Sequence, residues 1–478
     1  MRLRRGTGSE PALFASAAIV LLVIGAFLRV RASLNDLWLD EIWSLQLAGQ
    51  VGPWWGVLTQ IHHDNNHYLN TLWLHAMGPR GNWPGYRLPS IAAGSSTVLL
   101  AGLIARRRDA ASGVIAMILT AVSYVLVLYS SEARGYASVV FFALLAYALL
   151  ESLMERPRWP LVPCLWASMT LGFLSHLTFV SFFAAAGAWS AWRLLRAPGT
   201  RAAGLRALVL WHSVPAAFFA TLYVVDVRHL VIGGRSSTPP VQAMEAVLAW
   251  VVGAPPGAVA MAIACVVALA ALASGLCMLW RERSDAVVLY AGAIVVAPAL
   301  LVIAGRAQAL FPRYFLIGIA FLLVLSSQVL SALLRRGRLG KVVVVALLAG
   351  YVGANAWRLS SLMEHGRGDY QGVVKFLAES TKGDTVTIGG DHDLRIPLVL
   401  QFYVPGATGG KAPEYFAAGS WPAEGVEWLI THADPSGPPA PTSPLLVDPA
   451  GHRYDLVRTF ESAPLSGAHW FVYHEQGR

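Results

Sequence analysis

Long apolar stretches separated by short polar connections make up most of this chain. At about 20 residues per bilayer crossing, each stretch is about long enough to span a membrane as a helix. The stretches lie near residues 12–30, 90–105, 111–129, 136–153, 160–175, 177–192, 206–225, 257–280, 286–304, 314–334 and 340–357. The pattern therefore predicts a polytopic α-helical membrane protein with about eleven transmembrane helices.

The pattern changes after about residue 358, where the long apolar stretches stop and charged, Gly and Pro residues return. YQGVVKFLAES (370–380) has apolar residues at helical spacing, and TVTIGG (385–390) is typical of a strand. PLVLQFYV, VEWLIT and HWFVYHE could be further strands. We therefore expect a transmembrane domain over residues 1–358, with a large first outer loop at 33–88, and a small α/β domain over 359–478.

Composition supports a membrane protein, because 13% of the residues are charged against about 25% in soluble globular proteins. The net charge of +9 could suggest a nucleic-acid partner, but the basic residues are not gathered on one stripe. They recur between the apolar stretches instead. We therefore expect the membrane, and no nucleic acid, as the partner of this charge.

The basic clusters fall in alternate connections between the apolar stretches. By the positive-inside rule, these connections and the N-terminus face the cytoplasm of a multi-pass plasma (inner) membrane protein. An odd number of spans then places the C-terminal domain outside. The clusters are Arg2, Arg4 and Arg5; Arg106 to Arg108; Arg156 and Arg158; Arg193, Arg196, Arg201 and Arg206; Arg281 and Arg283; and Arg335, Arg336, Arg338 and Lys341.

Two adjacent acids, Asp40 and Glu41, follow the first apolar stretch in LNDLWLDEIWSLQLA (34–48). A carboxylate at a membrane edge is costly to desolvate and usually has a partner or a function. One interpretation is structural: Asp40 caps a helix, and Glu41 in the first turn complements the helix dipole. The other is catalytic: Asp40 is a general base, and Glu41 orients an acceptor or a neighbouring cation.

Polar residues are also concentrated in HHDNNHYLN (62–70), which contains Asp64, Asn66 and His67. The spacing matches no structural zinc pattern, although His and Asp are common metal ligands. Three interpretations stay open: a metal site, a hydrogen-bonding wall for a sugar or phosphate, and a solvated loop.

Arginines at the outer ends of helices depart from the positive-inside pattern. Arg134 lies in SEARGYAS (131–138) close to Glu132, and Arg313 lies in FPRYF (311–315). Arginine binds phosphate well through bidentate hydrogen bonds, so these positions indicate an anionic ligand. The structural alternative for Arg134 is an ion pair with Glu132 or Asp40.

These motifs together resemble the C-type (GT-C) membrane glycosyltransferases that use polyprenyl-phosphate sugars. The similar branch contains protein O-mannosyltransferases and the aminoarabinose transferases of lipid A. WLDEIWS, DNNHYLNTLWL, SEARGYA and FPRYF occur in that family's order over roughly residues 10 to 335. Where many relatives have His-Pro-Pro, this chain has His67-Tyr68-Leu69.

The resemblance implies a GT-C fold and a role for each matched residue. Asp40 would be the catalytic base with Glu41 beside it in the acceptor site, and Asp64, Asn66 and His67 would line the site. The residues implied for donor phosphate and sugar binding are Arg134, Arg313, Tyr314, Glu132 and Tyr136.

The implied reaction transfers a sugar from a polyprenyl-phosphate donor to a lipid, glycan or protein acceptor outside the cytoplasm. The lipid carrier replaces a sugar nucleotide, so no cofactor is required, although a divalent cation could assist. Two alternatives stay open. One is a multispan transporter, although the charges lie at span ends and no internal repeat is visible. The other is a polysaccharide polymerase or ligase, which would be expected to have its large outer loop late in the chain.

Overall fold

The computed structural model describes residues 9–197, 200–233, 239–304, 311–407, 411–434, 440–441 and 443–477. The chain forms two compact units. The helical unit comprises Met1–Ser33 and Leu47–Trp357, and the C-terminal unit comprises Leu34–Gln46 and Arg358–Arg478. A short part of residues 33–88, predicted as the first outer loop, therefore folds with the C-terminal residues.

Helices account for most of the described chain up to His365. Among them are a π-helical turn, Gly292–Val296, and a 3-10 turn, Pro312–Phe315. The helices are α1 (Ser9–Ala32), α2 (Leu39–Gln50), α3 (Gly56–Thr59), α4 (Tyr68–Met77), α5 (Trp83–Arg106), α6 (Ala110–Val122), α7 (Tyr124–Ser130), α8 (Tyr136–Glu155), α9 (Leu161–Ser175), α10 (Phe179–Arg196), α11 (Arg201–Val225), α12 (Pro240–Val252), α13 (Ala258–Arg281), α14 (Ala286–Ala291), α15 (Ala297–Ala304), α16 (Leu316–Leu334) and α17 (Arg338–His365).

The helices confirm a multi-pass membrane protein. Among the described residues, eight helices are long and apolar enough to cross a membrane, or nine if α6 and α7, bent by 60°, count as one span. The remaining two of the eleven predicted stretches are also helical. However, α9 has only 15 residues, and α10 ends with Arg193 and Arg196 in its last turn.

Arginine–carboxylate pairs join helix ends at one end of the helical unit. Distances between nitrogen and oxygen are 2.7 Å for Arg107–Glu151, 2.5 Å for Arg108–Glu282, 3.1 Å for Arg193–Asp285 and 2.7 Å for Arg335–Asp109. Several of the basic clusters therefore share one end of the unit, which we call the basic end. That this end faces the cytoplasm stays a prediction.

The central helix α16 sets the position of the opposite end. Of its most apolar 18-residue stretch 72% is buried, more than in the other candidate spans of the described chain. The helix ends beside Arg335 of the basic end, and its 19 residues extend about 28 Å away from there. Its lead-in turn, which contains Arg313 and Tyr314, therefore lies at the far end of the unit.

The C-terminal unit confirms the predicted small α/β fold. It contains α18 (Tyr370–Ser380) and α19 (Arg395–Ala407), with the sheet order β2-β1-β3-β6-β5-β4. Strand β1 is parallel to β2 and β3, and the other pairs are antiparallel. The strands are β1 (Thr385–Gly390), β2 (Ala412–Tyr415), β3 (Trp428–Ala433), β4 (Leu445–Val447), β5 (Arg453–Phe460) and β6 (His469–Glu475).

One predicted strand is wrong. PLVLQFYV lies in α19, because the segment buries Ile396, Val399, Leu400 and Tyr403, which recur at helical spacing. The predictions for residues 370–380, TVTIGG, VEWLIT and HWFVYHE are confirmed as α18, β1, β3 and β6.

Candidate active site

Four aromatic rings meet at the end of the helical unit opposite the basic end. They belong to His67 before α4, Tyr136 at the start of α8, His176 after α9 and Tyr314 in the turn before α16. The ring centroids of His67, Tyr136 and His176 lie 4.8 to 4.9 Å apart, and Tyr314 is 5.9 Å from His176. We call these four residues the ring cluster.

His67 is neutral in the ring cluster, and its hydrogen bonds fix which nitrogen carries the proton. The side chain is buried, and the backbone N–H of Gly135 donates to its Nδ1 at 2.8 Å. Burial, followed by the charges of Arg134, His176 and Arg313, lowers the pKa of His67 well below its ordinary value. Since Nδ1 accepts a hydrogen bond, the single proton lies on Nε2.

His176 repeats this arrangement on the neighbouring helix end. Its Nδ1 accepts the Thr178 backbone N–H at 3.1 Å, which leaves the proton on Nε2. Burial, then the charges of Arg134 and Arg313, lower the pKa of His176 to about 3. Sequence reasoning did not select His176, because a single His in the mostly apolar turn LSHLTF has no charged neighbour to mark it.

Arg134 approaches the ring cluster from the bend between α7 and α8. Its Nη2 donates to Asn65 Oδ1 at 2.7 Å and lies 3.4 Å from His67 Nε2. Because Nε2 carries a proton, two N–H donors face the same region, and an anionic oxygen could accept from both. The Arg134 guanidinium also lies 5.0 Å from the centroid of the Tyr136 ring.

Gly135 permits the close approach of these helix ends. A Cβ atom at this position would lie 1.8 Å from the carbonyl oxygen of Ser175 and 3.2 Å from His67 Cβ. The bend is held further by Ser90 Oγ, which donates to the Arg134 carbonyl at 2.8 Å, and by Asn70 Nδ2, which donates to the Ala133 carbonyl at 2.5 Å. The motif SEARGYA is thus needed in part for packing.

Arg313 contributes the second positive charge near the ring cluster. Its guanidinium lies 4.3 Å from the ring centroid of Phe311 and 6.0 Å from that of Tyr314. Its charge contributes to the lowered pKa values of both His67 and His176. The structure therefore brings five of the ten sequence-selected site residues together: His67, Arg134, Tyr136, Arg313 and Tyr314.

The remaining selected residues of the helical unit lie beside this group. Glu132 is fully buried in the bend that contains Arg134. Asn66 supports the preceding loop, since its Nδ2 donates to the carbonyls of Val57 and Ile61 at 2.8 and 3.1 Å. Asp64 accepts the backbone N–H of Gly233 at 3.2 Å. Burial opposes ionisation of Asp64, but hydrogen bonds from His63 and Gly233 lower its pKa overall, with help from the charge of Arg134.

A buried acid that sequence reasoning missed fixes the residues just before His67. Asp226, after α11, is fully buried and accepts from His62 Nδ1 at 2.5 Å and from the hydroxyl of Tyr68. The backbone N–H of Val231 also donates to the His62 carbonyl at 2.9 Å. Residues 62–68 are therefore attached to the loop after α11, and burial followed by the bond to Asp226 raises the pKa of Tyr68.

Asp40 and Glu41 lie in the C-terminal unit, at the start of α2. The helix begins at Leu39, so Asp40 lies inside the first turn and is not its N-cap. Glu41 is 1% exposed, and its Oε2 accepts the Trp38 backbone N–H at 3.3 Å. This is half of a capping box, so the structural interpretation applies to Glu41. Asp40 remains half-buried in a helix start that is already capped.

One interpretation of residues 62–70 is a metal site. Within the ranges that the structure describes, no three His, Cys, Asp or Glu residues are arranged to hold a metal ion. The His and Asp residues of 62–68 make hydrogen bonds to other protein groups instead.

Comparison with known proteins identifies the fold. No protein-family model matches the chain, and no curated protein matches it in sequence. ArnT from Cupriavidus metallidurans bound to undecaprenyl phosphate aligns over 98% of both chains, with TM-score 0.51 and 13% identity. Apo ArnT from the same organism aligns over 96% of this chain and 98% of its own, with TM-score 0.50 and 14% identity. The predicted GT-C fold is thereby confirmed.

Proposed function

We propose that this protein is a glycosyltransferase that transfers a sugar from a polyprenyl-phosphate donor to an acceptor on the outer face of the membrane. The observation that carries the proposal is the convergence of Arg134 and Arg313 on two neutral histidines, the buried His67 and the half-buried His176. Fixed cations and N–H donors of this kind suit a phosphate group whose negative charge grows as it leaves. The shared fold supports the proposal, because ArnT was solved with undecaprenyl phosphate bound.

The proposed reaction is a single displacement at the anomeric carbon. An acceptor hydroxyl or amine attacks this carbon and forms the new bond, while the bond to the phosphate oxygen breaks and its electron pair goes to the phosphate. Asp40 takes the proton that the acceptor loses, and Arg134 and Arg313 stabilise the released polyprenyl phosphate. The anomeric configuration is therefore inverted.

The other selected residues would bind the lipid-linked sugar or hold the catalytic groups in place. The Nε2–H groups of His67 and His176 would donate hydrogen bonds to oxygen atoms of the polyprenyl-phosphate sugar. Tyr136 and Tyr314 would contact the sugar or the phosphate and form one wall of the site. Glu132, which is buried in the bend between α7 and α8, would stabilise that bend. Glu41 would maintain the helix start that carries Asp40, and Asp64 and Asn66 would fix the loop before His67.

The proposal is tested by turnover of a panel of radiolabelled polyprenyl-phosphate sugars. Purified wild-type protein should release or transfer label from at least one donor. Asp40→Asn should keep only a small residual turnover but still bind undecaprenyl phosphate, and Arg313→Ala should lose both turnover and binding. Arg228→Ala is the matched control, because Arg228 is exposed and its Nε donates to His229. Turnover by Asp40→Asn at the wild-type rate would reject Asp40 as the base.

A further inference from the structure

The C-terminal unit contains the segment on which the proposed base lies. Residues Leu34–Gln46, which we call the base segment, pack with Arg358–Arg478 although more than 300 residues separate them along the chain. Asp40 is therefore connected to a soluble-type sheet domain to which sequence reasoning gave no function.

Three consecutive residues of the base segment are bonded to three different parts of this unit. Asn35 Oδ1 accepts from Arg367 Nη1 at 3.0 Å. Asp36 Oδ2 accepts the Gln371 backbone N–H at 2.8 Å, and the Leu37 carbonyl accepts from the Tyr403 hydroxyl at 2.8 Å. The segment is thus fixed to the turn before α18, to the first turn of α18 and to α19.

The bond from Asp36 has a specific electrostatic basis. The first N–H groups of a helix have no partner within the helix, and its N-terminus attracts negative charge. Asp369 already satisfies one of these groups in α18, since its side chain accepts the Gly372 N–H at 2.9 Å. Asp36 supplies a second carboxylate to the same helix end, which favours a single position of the base segment.

Arg367 is built into this arrangement. Its side chain is fully buried, and its carbonyl accepts from the Tyr370 hydroxyl at 2.8 Å. The preceding Gly366 has φ +58°, and a Cβ there would lie 2.8 Å from Asn35 Cβ. The turn between α17 and α18 therefore needs glycine in order to bring Arg367 against the base segment. A buried arginine whose partner is removed is costly, so this contact resists loosening.

We infer that the C-terminal domain positions the proposed base, with Arg367 and Tyr403 as positioning residues that act through Asp40. The inference rests on the proposed function for the role of Asp40. The chain continues from Leu37 through Trp38 and Leu39 directly into the first turn of α2, so loosening residues 35–37 frees the start of the helix that carries the carboxylate. A displacement of about 1 Å in a reacting group can lower a rate about a hundredfold.

Amide hydrogen exchange of the purified full-length protein tests the attachment without any substrate. Arg367→Ala and Tyr403→Phe should each speed exchange in residues 34–46, while β1 and β6 stay protected. Tyr473→Phe is the matched control, because the Tyr473 hydroxyl donates to the Ser443 carbonyl at 2.9 Å and has no bond to the base segment among the described contacts. If Arg367→Ala does not fold, Tyr403→Phe alone decides. Unchanged exchange in residues 34–46 would overturn the attachment.

Turnover in paired variants tests whether the attachment acts through Asp40. Arg367→Ala should lower kcat about tenfold to a hundredfold at an unchanged donor KM, and Arg367→Lys should restore part of it. In the Asp40→Asn protein, the addition of Arg367→Ala should not lower the residual rate further. If Arg367→Ala lowers the rate by the same factor in the wild type and in Asp40→Asn, Arg367 does not act through the base. A wild-type protein that turns over none of the donors would reject the proposed function, while the exchange experiment would still decide the attachment.

Discussion

At the scale of single residues, the site depends on histidines that stay neutral between two cations. His67 and His176 both direct Nδ1 to a backbone N–H and keep a proton on Nε2. A protonated imidazole would repel Arg134 and Arg313, which is one reason for the lowered pKa values. Both residues can therefore donate to a phosphate oxygen across the ordinary range of pH without adding charge to the free site.

These histidines give the folded protein a predictable sensitivity to acid. Below about pH 6.5 the unfolded chain protonates them, whereas the fold keeps His176 neutral down to about pH 3. The unfolded state then binds more protons, so the free energy of unfolding decreases as pH falls from about 6.5 towards 3. We expect His176→Asn to reduce the fall in Tm between pH 7 and pH 5. His229→Asn, at an exposed histidine, is the control. An equal fall in both variants would contradict the lowered pKa of His176 in the folded protein.

Arg134 should bind phosphate in a way that lysine cannot reproduce. One of its nitrogens is bonded to Asn65 and directed towards His67, so its fixed fork presents donors in a set direction. Arg134→Lys keeps the charge but should weaken undecaprenyl phosphate binding about tenfold or more, since hydrogen bonds to charged groups are worth about 1.5–3 kcal/mol. Binding to reconstituted protein measures this, with Arg228→Lys as the control. Full affinity in Arg134→Lys would mean that only the charge matters.

Single residues also show how far the sequence indicated the site. Arg134 and Arg313 were selected because arginine at an outer helix end is unusual, and the structure places both near the ring cluster. His176 and Asp226 were missed, since each becomes notable only through partners distant in the chain. An N-cap at Asp40 predicts a helix that begins at Glu41, but α2 begins two residues earlier, at Leu39, and the Glu41 side chain accepts the Trp38 backbone N–H instead.

At the scale of elements, the close packing of α8 against the end of α9 decides whether the ring cluster forms. Gly135→Ala would place a Cβ atom 1.8 Å from the Ser175 carbonyl, so one of the two helix ends must move. We expect a loss of about 1–3 kcal/mol in stability, seen as a lower Tm, together with weaker undecaprenyl phosphate binding.

Gly187→Ala provides the matched control for that substitution. Gly187 lies in α10, and a Cβ there meets nothing within 4 Å. Alanine favours helices over glycine, so Tm should stay the same or rise. If both variants behave alike, Gly135 is not needed for close approach.

Helices and strands were predicted well where one hydrophobic periodicity dominates the segment. They were predicted less well where a short apolar segment does not reveal which face is buried. The apolar stretches gave helices because a membrane span needs uninterrupted apolar length. PLVLQFYV was mistaken for a strand, because eight mostly apolar residues fit a buried strand and a helix equally. Its attachment to the base segment through Tyr403, which selects the helix face, is a long-range contact that local pattern cannot reveal.

At the scale of the whole molecule, the basic end and the ring cluster occupy opposite ends of one helical unit. By the positive-inside rule we predict that the ring cluster lies outside the cytoplasm, where the proposed lipid-linked sugar would be used. The ion pairs at the basic end join α5, α8, α13 and α16 at their final turns or just beyond them. Sequence reasoning predicted this division, because charge asymmetry between connections needs no knowledge of packing.

Membrane orientation is tested by cysteine labelling in intact cells. With Cys164, Cys265 and Cys277 replaced by alanine, Ser420→Cys in the C-terminal unit should react with an impermeant maleimide. Arg336→Cys, at the basic end, should react only after the membrane is permeabilised. Both positions are exposed in the structure, so accessibility depends on the side of the membrane. The reverse result would place the ring cluster in the cytoplasm.

The most direct measurement is the stoichiometry of the reaction in proteoliposomes supplied with a lipid-linked sugar and an acceptor extract. Mass spectrometry should find one free polyprenyl phosphate for each glycosylated acceptor with the wild-type protein. Asp40→Asn should form both products only at a small residual rate. Movement of the sugar or its lipid across the vesicle membrane, without release of polyprenyl phosphate, would contradict glycosyl transfer and identify a transporter instead.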